Sequence, residues 1–220
     1  MPHPVALVDD HHMVREGLAA TINAFADYTV VLEAAHGQEL IDGLDGRPDP
    51  AIAIVDLHMP VMDGFATIAW LRTHRPEVLP LALTFDASDE ALVLAFRAGA
   101  RGFLRKNARS ALLKHALDSL VHTGYFHSNE THTEPVDHGS LRARIDHERA
   151  DILSRITPRE LEFLRLVCSS EELTYEGIAE LMGVQPRSVE NHRSNLFEKF
   201  GMKSKTGLVL FAYKWRIVEP

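Results

Sequence analysis

Cysteine is almost missing from this sequence of 220 residues, where Cys168 stands alone. That excludes an intramolecular disulfide framework and suits a reducing compartment such as the cytoplasm. Its surroundings, RLVCSS, make it a helix residue expected to pack rather than react. No run of about 18 apolar residues occurs, so no membrane-spanning helix is expected. The opening MPHPVALVDDHH lacks the basic stretch and long apolar stretch of a secretory signal. Positive charge is short as well, with a net −8. Residues 1–148 hold 12 Lys+Arg against 21 Asp+Glu, a balance of −9, whereas residues 149–220 hold 11 against 10, a balance of +1. An acidic front and a near-neutral tail point to two units with different partners. Apolar residues at 45% and charged residues at 25% give the balance of an ordinary globular protein with a core to bury.

The first half alternates β-rich runs with helical patterns. VALVD, YTVVLEAAHG, AIAIVDL, VLPLALTF and RGFL read as strands. Between them, Val14, Leu18, Ile22 and Phe25 recur at helical spacing, residues 63–74 read as a helix, and SDEALVLAFRAGA starts behind the N-cap residue Ser88. ARSALLKHALDSLVHTG is the last helix of this part. Five βα units predict a doubly wound five-stranded parallel sheet over residues 1–122, with helices on both faces. Residues 123–154 read as a linker, polar and carrying Pro135 and Gly139, with helical periodicity resuming from Leu141. Its His127, His132, His138 and His147 do not match a zinc spacing and are expected to be solvated. Residues 155–220 read as all-helical. TPRE, from Thr157 to Glu160, is a capping box, and Met182-Gly183-Val184-Gln185 is a tight turn between two helices, a helix-turn-helix pattern.

Strand ends of a parallel α/β sheet share one edge, where sites form. Asp9 and Asp10 end the first strand, Asp56 the third and Thr84 the fourth, and Lys106 follows the fifth. Three carboxylates repel one another unless a hard cation sits between them, and oxygen ligands suit Mg²⁺. A Lys ammonium meets phosphoryl oxygens, a Thr hydroxyl donates to the same group, and a carboxylate held between them is a nucleophile toward phosphorus. Asp63 reads as a turn residue before Gly64. His58 lies at the mouth of this site, either merely solvated or controlling the access of attacking water.

In the third tail helix, Val189, His192, Leu196 and Phe200 fall on one face, and Arg187, Glu190, Asn191 and Ser194 on the opposite one. Asn pairs with adenine and Glu accepts from cytosine N4 in the major groove. A local ion pair between Glu190 and Arg187 or Arg193 is an equal rival to base reading. Arg193, at the edge of the apolar face, suits structure or a phosphate contact. Lys203 and Lys205 suit phosphate contacts. A balance of +1 gives little non-specific affinity, so two copies on one operator are expected. Leu208, Val209, Phe211 and Ala212 in the last helix divide between closing the core and a dimer seam.

VDDHHMVREGL, VDLHMPVMDG, LTFDASDE and GARGFLRK resemble, in order, the four signature stretches of two-component receiver domains. TPRELEFLRL and EGIAELMGVQPRSVENHRSNLFEKFG resemble a LuxR-type DNA-binding domain. Together they resemble the NarL/FixJ group of response regulators over residues 4–122 and 155–216. The resemblance implies a cytoplasmic transcription regulator with a sensor histidine kinase and a double-stranded DNA operator as partners, dimeric on DNA, and no steady turnover of an external substrate. It makes Asp56 the phospho-acceptor. Asp9, Asp10, the Asp56 carboxylate and the His58 backbone carbonyl become the Mg²⁺ ligands, and Thr84, Phe103 and Lys106 the switch and phosphoryl contacts. Two positions depart from the family: Phe103 has no hydroxyl where Tyr is also common, and His12 stands where Pro is frequent. Two other classes are compatible with the residues. A phosphatase with an aspartyl nucleophile would use a similar cluster, although His58 stands where such enzymes keep an acid. A regulator that works through protein contacts would explain the weak charge of the tail.

Overall fold

The computed structural model describes residues 1–85, 88–126, 138–169, 171 and 173–218. His127 and His132 lie outside the described residues. The chain divides into two compact units, Met1–Pro135 and Val136–Pro220.

The first unit runs β1 (His3–Val8), α1 (His12–Asn23), β2 (Tyr28–Ala34), α2 (Gly37–Leu44), β3 (Ile52–Asp56), α3 (Gly64–His74), β4 (Leu79–Thr84), α4 (Asp89–Ala98), β5 (Gly102–Arg105) and α5 (Ser110–Thr123). The sheet is parallel throughout, in the order β2-β1-β3-β4-β5. That order reverses direction between β1 and β3, and ligands bind at the carboxyl end of such a reversal. Period-two alternation sorts the strand residues onto two faces. Val5, Leu7, Ile52, Ile54, Leu81 and Leu83 form one core with Ile22 of α1 and Leu113, Leu117 and Leu120 of α5. Ala6, Val8, Ala53, Val55 and Ala82 form the other with Leu40, Leu44, Ile68 and Leu71. Each fully buried Leu or Ile contributes about 1.5–3 kcal/mol relative to exposure, so the two cores fix the strand ends rigidly. One departure from a regular ladder is a register shift between Val5 and Ala6 where β1 meets β2.

Local chemistry sets the helix starts. Asp63, read from the sequence as a turn residue, is the N-cap of α3 and accepts from Ala66 N at 2.8 Å. Gly64 has no alternative, because a Cβ there would run into the Asp56 carbonyl oxygen and Leu57 Cα. Ser88 caps α4. α1 begins with no side-chain cap at His11. Between β3 and α3, Val61 has φ +66°, a conformation that costs a β-branched residue strain energy.

The second unit contains α6 (His138–Arg155), α7 (Pro158–Val167), α8 (Tyr175–Met182), α9 (Pro186–Phe200) and α10 (Lys205–Lys214). α6 therefore packs with the tail. Arg149 donates to the Trp215 and Arg216 carbonyls, and Arg155 to the Lys199 carbonyl. Its His147 is exposed. The core takes Phe163, Leu164 and Val167 from α7, Ile178, Ala179 and Met182 from α8, Val189 and Leu196 from α9, and Leu208, Val209 and Ala212 from α10. Phe211 is half-buried against Phe200, ring centroids 4.7 Å apart. Among the described residues, α10 exposes no large apolar side chain for the dimer seam considered there. Cys168 is buried, its carbonyl accepting from the Tyr213 hydroxyl at 3.3 Å. No helix among the described residues is long and apolar enough to cross a membrane.

Candidate functional sites: an acidic pocket and an exposed helix face

The β1 and β3 ends bring Asp9 and Asp56 side by side, because Val8 pairs with Val55 in the ladder. Lys106, one residue beyond β5, enters between them. Its Nζ lies 2.8 Å from Asp9 Oδ2 and 2.7 Å from Asp56 Oδ2, and its side chain is 1% exposed. Thr84 ends β4, fully buried, and its carbonyl accepts from Lys106 N at 2.9 Å. Asp10 sits at the mouth with its side chain 29% exposed. Asp9 Oδ1 accepts from His11 N at 2.9 Å and Asp56 Oδ1 from His58 N at 3.3 Å. Phe103 is half-buried against the Ala82 side of the sheet. The His58 ring is exposed and meets Phe65 edge-on at 6.3 Å.

Burial pushes the Asp56 carboxyl above its ordinary pKa, and the neighbouring Asp9 charge adds to this. The Lys106 ammonium and the His58 N–H oppose the rise without cancelling it. The pocket is also short of positive charge by count. Asp9, Asp10 and Asp56 set three negative charges against one ammonium, leaving the charge of one divalent cation. Asp9 Oδ2 is buried and accepts no well-directed hydrogen bond. The ammonium at 2.8 Å lies off its hydrogen-bonding direction and acts there as a charge. Ligand atoms from Asp9, Asp10, His11 and Asp56 all lie within 4.8 Å of one another. Opposite ligands of a Mg²⁺ ion stand about 4.2 Å apart, twice the metal–oxygen distance, so a small inward shift closes the group on a cation. The donor set fits one.

Three residues at this site escaped the sequence reading. The His11 Nδ1 atom lies 2.7 Å from Asp10 Oδ1. Arg15, one turn along α1, donates to the Asp9 carbonyl. Phe85, 64% exposed, has its ring centroid 5.2 Å from Lys106 Nζ. The available signals were the His and Arg spaced four apart behind Asp10, and a bulky apolar residue directly after Thr84.

In the second unit, α8 ends at Gly183 in the left-handed conformation, φ +65°. α9 starts with Pro186 in its first turn. Val189 and Leu196 anchor α9 inward, and His192 and Phe200 are half-buried beside them. Arg187, Glu190, Asn191 and Ser194 are all exposed on the opposite face, which Asn195 and Glu198 continue. No ion pair joins Glu190 to Arg187 or Arg193 among the described residues, which weakens that rival to base reading. Arg193 is half-buried, its guanidinium 5.3 Å from the Tyr175 ring centroid and 5.8 Å from that of Phe197. Lys205 flanks the same Tyr175 ring at 5.8 Å and donates to the Leu173 carbonyl at 2.9 Å. Lys203 is exposed.

The far end of α9 is pinned by a pair the sequence reading missed. Lys199 Nζ donates to both carboxylate oxygens of Glu160, at 2.9 and 2.8 Å, and to the Arg155 carbonyl at 3.1 Å. Glu160 is 1% exposed and also closes the capping box with Thr157. Burial opposes its ionisation, but Lys199 and the Thr157 hydrogen bonds outweigh burial and hold the carboxyl below its usual pKa.

The first unit matches the response regulator receiver domain family over residues 5–118, and the second the luxR family of bacterial regulatory proteins over residues 154–212. The nitrate/nitrite response regulator protein NarL of Escherichia coli is 31% identical over 98% of this chain and 97% of its own. The DNA-binding transcriptional activator DevR/DosR of Mycobacterium tuberculosis is 32% identical over 98% of this chain and 96% of its own. Among solved structures, the isolated receiver domain of RcsB from Salmonella enterica serovar Typhimurium, determined with the phosphomimetic BeF3-, is 25% identical. It superposes with a TM-score of 0.54 over 59% of this chain and 95% of that one. With a receiver match across half its length and relatives spanning nearly all of it, this chain belongs to the response regulators that join a receiver domain to a luxR-family regulatory domain.

Proposed function

We propose that this response regulator controls transcription by binding DNA, and that a sensor histidine kinase sets its activity by phosphorylating Asp56. The observation that carries the reading is the meeting of Asp9, Asp56, Thr84 and Lys106 at one sheet edge, with too little positive charge to neutralise it. Asp9, Asp10, Asp56 and the His58 backbone carbonyl would hold Mg²⁺, which when bound offsets negative charge on the transferring group. The Asp56 carboxylate attacks phosphorus. An Oδ–P bond forms, the bond to the donor imidazole nitrogen breaks, and its electron pair stays on that nitrogen. Lys106 then pairs with the phosphoryl oxygens. The Thr84 hydroxyl turns toward them and Phe103 follows inward, rewarded by burial alone. The result is a population shift, because the phosphoryl group favours one arrangement through contacts the other lacks.

The functional boundaries proposed are a receiver at 1–122, a linker at 123–154 and a DNA-binding domain at 155–220. In that domain Arg187, Glu190, Asn191 and Ser194 would face base edges in the major groove. Lys203 would meet phosphate, joined from the Tyr175 flank by Arg193 and Lys205. The modest positive charge favours two copies acting on one operator. Kinase and DNA place the protein's work in the cytoplasm.

Selecting bound sequences from random DNA with the full-length protein, before and after treatment with acetyl phosphate and Mg²⁺, tests this reading. The expected result is a defined, repeated half-site whose enrichment changes on treatment, with no such change in Asp56→Ala. Absence of any enriched sequence, or identical enrichment in all samples, refutes it.

A further inference from the structure

Resting on the metal reading above, we propose that the imidazole of His11 is a ligand of the divalent cation. The site would then prefer first-row ions that accept nitrogen, such as Mn²⁺ and Co²⁺, over Mg²⁺ more strongly than an all-oxygen site does. His11 Nδ1 lies 2.7 Å from Asp10 Oδ1 and 3.4 Å from Asp9 Oδ1, inside the group of ligand atoms that spans 4.8 Å. Its backbone is fixed there, because His11 N donates to Asp9 Oδ1 at 2.9 Å. The ring is 56% exposed, so it can turn a few degrees from Asp10 onto an ion without disturbing the core.

The neighbouring histidines do not share this placement. His12 Nδ1 lies 3.4 Å from Glu16 along α1, and His58 directs its ring toward Phe65. Neither ring belongs to the group of side-chain ligand atoms. The buried Asp9 Oδ2 has only the Lys106 ammonium beside it and accepts no well-directed hydrogen bond, the independent sign that this pocket can take a further positive partner. With the proton of a neutral ring on Nε2, Nδ1 offers a lone pair. Mg²⁺ binds oxygen ligands and keeps its waters, whereas imidazole suits the later first-row ions, whose affinities rise from Mn²⁺ to Co²⁺.

Pulsed electron paramagnetic resonance of Mn²⁺ on the full-length protein reads a coordinated imidazole directly, as ¹⁴N modulation. Calorimetric titrations with Mg²⁺ and Co²⁺ give the affinity ratio. Wild-type protein should show the imidazole ¹⁴N pattern, and His12→Ala should keep it. His11→Ala should lose it, with the Co²⁺-over-Mg²⁺ ratio falling on the order of tenfold, the scale of lesser changes around metal sites. His11→Gln, which offers oxygen instead, should bind Mg²⁺ and show no imidazole signal. Mn²⁺ bound with an oxygen-only signal in the wild type, or a ¹⁴N pattern that survives in His11→Ala, overturns the His11 assignment and leaves the cation site standing. Failure of wild-type protein to bind any of the three ions overturns the cation site and the assignment together.

Discussion

Replacing Glu160 by Gln removes one charge from a side chain that is 1% exposed and strands the ammonium of Lys199, whose side chain is 33% exposed. Breaking a buried ion pair from one side costs about 3–5 kcal/mol. Lys199 can swing toward water, which favours the lower end, while Gln retains part of the capping box. The expected loss is therefore about 3 kcal/mol. In a domain of this size each kcal/mol moves Tm by about 4–8 °C, so the melting transition of the second unit should fall by more than about 10 °C. Differential scanning calorimetry of the full-length protein at pH 7 measures it, with the receiver transition as an internal control. The pH dependence has a defined sign. The folded-state pKa of Glu160 is lowered below the ordinary glutamate value of 4.5, so the contribution is fully present above that value and lost as pH falls through the folded pKa. The stability gap between wild type and Glu160→Gln should be constant from pH 7 down to about 5 and narrow only below about 4.5. A double-mutant cycle with Lys199→Met should return a coupling of at least about 1 kcal/mol. A Tm shift within about 2 °C, or a coupling near zero, would show that α9 is held by its apolar anchors alone.

Three further outcomes follow from the geometry. Asn191→Ala should weaken binding to the selected operator by about 1–3 kcal/mol, the worth of one bidentate base contact, while leaving binding to random DNA unchanged in a salt-matched gel shift; an equal loss on both would make it a positioning residue. His58→Ala should lengthen the half-life of the phosphorylated protein, because an exposed imidazole beside Asp56 can hold the attacking water; acid-quenched time courses with an unchanged half-life would leave His58 a solvated surface residue. Val61→Gly should stabilise the receiver by on the order of 1 kcal/mol, since relief of about 1–3 kcal/mol of backbone strain exceeds the entropy that glycine adds to the unfolded chain. Thermal unfolding that is unchanged or lowered would mean the loop bears no strain at Val61.

Local rules made much of this fold legible. The β-rich runs located all five strands, and the cap residues Ser88 and Thr157 marked helix starts within a residue. The acidic pocket was legible because parallel strands deliver their ends to one edge, so Asp9, Asp56, Thr84 and Lys106 needed no long-range knowledge. Features set by side-chain rotamers were not legible. The pairing of Glu160 with Lys199 joins residues 39 apart on different helices, and the turn of His11 toward Asp10 depends on where the Asp9 carboxylate holds its backbone. Likewise the packing of Arg193 on Tyr175 was visible only as a position at the edge of an apolar face. Phe85 read as the last residue of the fourth strand, whereas β4 ends at Thr84 and leaves the ring free to lie over Lys106.

The central claim is chemical: the Asp56 carboxylate is the proposed nucleophile and phosphoryl acceptor. Treating the full-length protein with acetyl phosphate and Mg²⁺, reducing with borohydride and mapping the peptides by mass spectrometry reads this directly, because borohydride converts an aspartyl phosphate to homoserine. The account predicts homoserine at position 56, lost when the divalent cation is chelated. Homoserine at another carboxylate, or none under any cation, would contradict it.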